Sequence, residues 1–90
     1  MKIKIDYQNI HETLESRDAA TLLHEVKQQA AKRAPFLVRP VVNSMSDLAF
    51  AAEAVKMANR ETGRSDAAPA SAQDFLDWAV QRGYITILET

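Results

Sequence analysis

The sequence predicts an α+β domain in which three helices pack on a small sheet built from the two ends of the chain. Two observations carry this reading. Lys2-Ile3-Lys4-Ile5-Asp6-Tyr7 alternates polar and apolar residues, the period-2 signature of a strand with one buried face. Tyr84-Ile85-Thr86-Ile87-Leu88 follows Gly83 and is rich in β-branched and aromatic residues, with apolar side chains on both faces. Pairing these terminal strands closes the chain into one cooperative unit, so residues 1–90 read as a single domain of order β-α-α-α-β.

Between the strands the signals are helical. Asn9-Ile10-His11-Glu12 has the spacing of a capping box and predicts a helical turn. Ser16 offers a second N-cap, with Asp18 placed in the first turn where a carboxylate suits the helix dipole. Leu22, Leu23, Val26, Ala30 and Ala34 then follow helical spacing, and Lys32 and Arg33 complement the carbonyl end. Pro35 ends this helix. Pro35 and Pro40 bias Ala34 and Arg39 away from the α region, so residues 36–42 read as a candidate third strand, confined by proline to a sheet edge.

Asn43, Ser44 and Ser46 compete as the next N-cap, with Ser44 and Asp47 at capping-box spacing. The second helix runs through Leu48, Ala51, Ala52 and Val55 to about Glu61, with Gly63 as its natural terminator. Residues 63–70 are small and polar and read as the one mobile loop, without a large apolar anchor. Ser71 opens a third helix carrying Phe75, Leu76, Trp78 and Val80. Gly83 closes it, and Tyr84 stands where a Schellman motif places its apolar contact.

Composition narrows the functional classes. Hydrophobic residues are 47% and charged residues 26%, an ordinary globular balance. Alanine supplies much of the apolar share, so the core is thinner than that figure implies. The chain has no cysteine, which removes disulfides, thiolate catalysis and cysteine zinc sites. No cleavable leader pattern and no long apolar run are visible, so a soluble, cytoplasmic protein without membrane contact is expected.

No constellation of catalytic residues emerges. His11-Glu12 and His24-Glu25 each begin a zinc-protease motif that is not completed, so they read as surface histidines beside acidic neighbours. The serines fall at predicted caps or in the loop, and two glycines cannot build a phosphate cradle. The sequence therefore points to a non-enzymatic protein with no cofactor and no metal.

The favoured expectation is a protein–protein interaction module: an assembly subunit, adaptor or small binding inhibitor of the kind phages and other mobile elements also encode. Phe36, Leu37, Val38, Val41 and Val42 are more apolar than a connection needs, and Ile85 and Ile87 oppose Tyr84, Thr86 and Leu88 on the last strand. These seven residues form the candidate interface, with a homodimer as the commonest way to cover them. The alternative is a nucleic-acid-associated or regulatory protein using a basic face of the second helix. Lys56, Arg60 and Arg64 recur there at four-residue spacing, flanked by Glu53 and Glu61.

Overall fold

The alternation of residues 2–7 forms strand β1 (Lys2–Tyr7), and the same alternation continues where a helical turn was expected. Ile10–Glu15 is strand β2, antiparallel to β1 with Ile3 opposite Leu14, Ile5 opposite Glu12 and Tyr7 opposite Ile10. A capping box satisfies two amides at one helix end, whereas pairing with β1 gives a ladder of bonds and turns Ile10 and Leu14 inward. Strand β3 (Ile85–Glu89) joins the other side of β1, so the terminal strands pair and the sheet order is β2-β1-β3. The chain is described at residues 1–7, 10–33 and 38–89 of a computed structural model.

The sheet has one dry face. Ile3, Ile5 and Ile85 are buried against helices, while Lys4, His11, Thr13 and Thr86 face outward and are exposed. This is the usual condition of an antiparallel sheet covered on one side. It also revises the expectation for the last strand, since Thr86, Ile87 and Leu88 are all exposed and only Ile85 is fully covered.

Four helices follow β2 among the described residues, one more than expected. Helix α1 (Ala19–Arg33) is capped by Asp18 rather than Ser16: the Thr21 amide donates to Asp18 Oδ1 at 2.8 Å. The expected edge strand at 36–42 is corrected over its described part. Val38 is already in the αR region and Arg39–Ser44 forms a short helix, α2, with Pro40 in its first turn. Proline is welcome there because those first amides have no intrahelical acceptor. Arg39 fixes the placement, donating from Nε to the Ala31 carbonyl (3.1 Å) and from Nη2 to that of Lys32 (3.2 Å). It thereby satisfies two carbonyls left open at the end of α1. Phe36 and Leu37 lie outside the described residues.

Ser46 wins the capping competition for helix α3 (Asp47–Thr62), accepting from the Ala49 amide at 3.1 Å, and the Ser44 hydroxyl instead donates back to the Val41 carbonyl. Gly63 ends α3 in the left-handed region at φ 72°. Helix α4 (Ala72–Gln81) is capped by Ser71 and closes in a Schellman motif. There the Tyr84 amide donates to Ala79 and the Gly83 amide to Val80.

The apolar interior has two parts. Ile3, Ile5, Leu22, Leu76, Ala79 and Ile85 pack between sheet and helices, and Leu23, Ala51, Val55 and Phe75 pack among α1, α3 and α4. Val26 and Trp78 touch both clusters and join them. Among the described residues no helix is long and apolar enough to cross a membrane.

Candidate binding cleft

Where the two clusters meet, the elements do not close on one another, and an apolar cleft of about 340 Å³ remains. Its floor is the buried edge of the core, Ile5, Phe75, Ala79 and Ile85. One wall is α1 through Val26, Gln29 and Ala30, and another is α3 through Phe50, Glu53, Ala54 and Met57. Val38, Val41, Val42 and Met45 stand over it from the α2 region. Protein interiors rarely keep gaps larger than a water molecule. The cleft is open to solvent at its rim, where Val41 and Met57 are exposed.

The lining is also chemically distinctive. Tyr7, Phe50, Phe75, Trp78 and Tyr84 all contribute, which is every aromatic residue among those described. Four of them form a continuous row. Tyr7 meets Tyr84 edge to face at 5.0 Å, Tyr84 lies 5.4 Å from Trp78, and Trp78 lies 5.8 Å from Phe75.

Two polar ends of this row, those of Tyr7 and Trp78, are tied to residues that do not line the cleft. Tyr7 Oη donates to Glu61 at 3.2 Å, and burial together with that carboxylate raises the phenol above its ordinary pKa. Trp78 Nε1 donates to Asp66 at 3.0 Å. The cleft is therefore presented with aromatic faces, aliphatic side chains and two methionines, the last being adaptable in shape. Glu53 is the one charged residue among its described lining, and it makes no ion pair among the described residues.

The loop at 63–70, read from the sequence as lacking a large apolar anchor, has a polar one in Asp66. Asn59 brackets the Asp66 backbone, donating to its carbonyl at 2.9 Å and accepting from its amide at 3.1 Å. The carboxylate takes a bidentate pair from Arg82, at 2.7 and 3.0 Å, besides the indole bond. The Arg82 bonds, then that of Trp78, hold the Asp66 pKa down at about 2. This network fixes the Trp78 ring, and so one wall of the cleft.

A second polar cluster joins α1 to the start of α3. Buried Lys27 donates to the Met45 carbonyl at 2.8 Å and pairs with Asp47 at 3.1 Å, and His24 Nδ1 lies 3.0 Å from the same carboxylate. Burial pushes the Asp47 pKa up, but the hydrogen bonds from His24 and Lys27 outweigh it and the net shift is downward. The other His24 nitrogen faces the Gln28 amide at 3.2 Å, where a hydrolytic triad would place a nucleophile's hydroxyl. His11 pairs instead with Asp6 across the hairpin at 3.0 Å. No three histidine or acidic side chains converge as a metal site among the described residues.

The structure divides the candidate interface. Val38, Val41 and Val42, from the middle of the chain, and Ile85, from near its end, come together on the cleft, Ile85 in the floor and Val41 exposed at the rim. Ile87 does not line it and sits beside Ile3 farther along the sheet. Lys56, Arg60 and Arg64 are exposed on and just beyond α3. Sequence reasoning missed the cleft itself, together with the wall formed by Tyr7, Phe50, Met57 and Trp78. The convergence of these side chains is a product of the tertiary fold. Comparisons with protein-family models, curated proteins and solved structures find no match to this chain.

Proposed function

We propose that this chain is a non-enzymatic protein–protein interaction module that receives an apolar segment of its partner in the cleft between α1, α2, α3 and the aromatic row. The observation that carries the reading is the concentration of aromatic, methionine and valine side chains around one opening, with Val38, Val41 and Met57 half exposed at its rim. Binding hot spots favour such anchors in concave, water-excluding sites.

The test pans a displayed library of random twelve-residue peptides against the protein and against Val41→Asp. Val41 is 54% exposed, so its replacement alters the rim without touching the core. Apolar peptides captured by the native protein and lost with Val41→Asp support the reading, provided the melting curves match. Capture that survives Val41→Asp overturns it. Sedimentation at micromolar concentration separates the expected homodimer from a foreign partner. A 20 kDa species that Val41→Asp converts to 10 kDa would place a second copy on the cleft.

The nucleic-acid reading rests on Lys56 and Arg60, exposed one turn apart on α3 and without ion pairs among the described residues. Retention on heparin that falls with salt and disappears in Lys56→Glu/Arg60→Glu would favour it.

A further inference from the structure

From the charge pattern of the cleft we infer the partner's chemistry: an apolar segment carrying a lysine or arginine positioned against Glu53. The inference rests on the cleft being a protein-binding site, as proposed above, and adds what that site selects.

Every other described lining residue is uncharged, and the polar atoms of Tyr7 and Trp78 are bonded to Glu61 and Asp66. Glu53 has no such partner among the described residues. It stands in the α3 wall, one turn from Phe50 on one side and from Met57 on the other, both of which line the cleft. In the free protein its carboxylate is exposed and hydrated. Once large apolar side chains fill the space beside it, that water is displaced, and a carboxylate losing water without a counter-charge opposes binding. A cation on the incoming segment removes this opposition and adds a charge-assisted bond in a drier setting. An acidic segment would meet the same carboxylate with no basic lining residue to offset it.

No described basic residue lines the cleft. Lys56, three residues along α3, does not line the cleft and makes no ion pair with Glu53. Lys27 is committed to Asp47 and the Met45 carbonyl, and Arg33 to Glu12. The opposing α1 wall adds only the neutral Gln29, whose amide suits a hydrogen-bonding group on the same segment.

The experiment repeats the peptide panning with Glu53→Lys and Glu53→Gln beside the native protein and Val41→Asp. Native protein should enrich apolar peptides bearing lysine or arginine and deplete aspartate and glutamate. Glu53→Lys should keep the apolar preference and reverse the charge preference. A synthetic peptide from the native selection should bind Glu53→Lys about tenfold or more weakly, with Glu53→Gln between.

Apolar peptides with no charge preference, or the same basic peptides from Glu53→Lys, would overturn this inference and leave the cleft reading standing. Loss of apolar selectivity altogether, or insensitivity to Val41→Asp, would remove both. Amide NMR shifts for the native protein with the selected peptide give a reading independent of variant folding. Changes centred on Phe50, Glu53 and Met57 are expected, and changes confined to the outer face of the sheet refute the proposal.

Discussion

Replacing Ile3 by alanine should be among the most damaging single changes to this protein, because β1 is the middle strand and Ile3 is its most enclosed side chain. Ile3 is 0% exposed and packs in the cluster between sheet and helices, with Leu14 and Ile87 as its cross-strand neighbours. The substitution deletes three carbons, about 2.4 kcal/mol at ~0.8 kcal/mol per methylene-sized group. Residues on both neighbouring strands cannot collapse fully into the gap, which brings the total to about 3–4 kcal/mol. For a domain of this length that corresponds to a fall in Tm of roughly 12–30 °C. Ile87 makes the internal control. It faces Ile3 across the ladder but is 40% exposed, so Ile87→Ala should lose only about 1.4 kcal/mol and leave no enclosed cavity. Urea unfolding followed by circular dichroism measures both. Equal costs for the two, or a cost for Ile3→Ala below about 1 kcal/mol, would refute the placement of β1 at the centre of the sheet.

Deleting residues 85–90 should unfold the domain, since it removes buried Ile85 and uncovers the second edge of β1; an unchanged melting curve would contradict this. Gly63→Ala should cost about 1–2 kcal/mol by urea titration. Nothing lies within 4 Å of the added carbon, so the whole cost is the left-handed backbone, and Gly63→Asn should recover part of it. For Asp66 the folded pKa of about 2 lies below its ordinary 3.8, so its contribution is present above pH ~4 and is lost as pH falls toward 2. Asp66→Asn should thus lower the urea midpoint, read by Trp78 fluorescence, at pH 7 and much less at pH 2. An equal gap at both would show that the carboxylate charge is immaterial. The same variant should speed trypsin cleavage after Arg64, because the Asn59–Asp66–Arg82 network holds that loop.

What could be read from the sequence follows the range of the forces involved. The terminal strands were legible because alternation at residues 2–7 and β-branched, aromatic composition at 84–88 are local patterns, and Gly63, Ser71, Gly83 and Tyr84 mark helix ends through bonds spanning only a few residues. Strand β2 was hidden by a capping pattern of equal local merit, and no Asn-Gly or Asp-Gly pair separates Tyr7 from Ile10 to announce a hairpin. Helix α2 was hidden because its decisive contact, Arg39 on the last carbonyls of α1, is tertiary. The same holds for Asp66, a small polar loop residue until Trp78 and Arg82 are brought to it. The cleft draws Ile5, Val26, Val41, Phe50 and Trp78 from five different elements, and no window of sequence contains that information.

The position of β1 also has a kinetic side. Its partner on one side, β2, is separated from it by two residues, whereas its partner on the other, β3, arrives from the far end of the chain. The hairpin can close quickly, but the second ladder must await a contact of very high sequence separation. During that interval one side of β1 presents free amides and carbonyls to any strand that fits. The best-fitting strand is a β3, and a neighbouring molecule's copy fits as well as its own. Refolding at high concentration should therefore produce some exchanged pairs, each molecule completing the other's sheet, while dilute refolding returns the sheet closed by each chain's own β3.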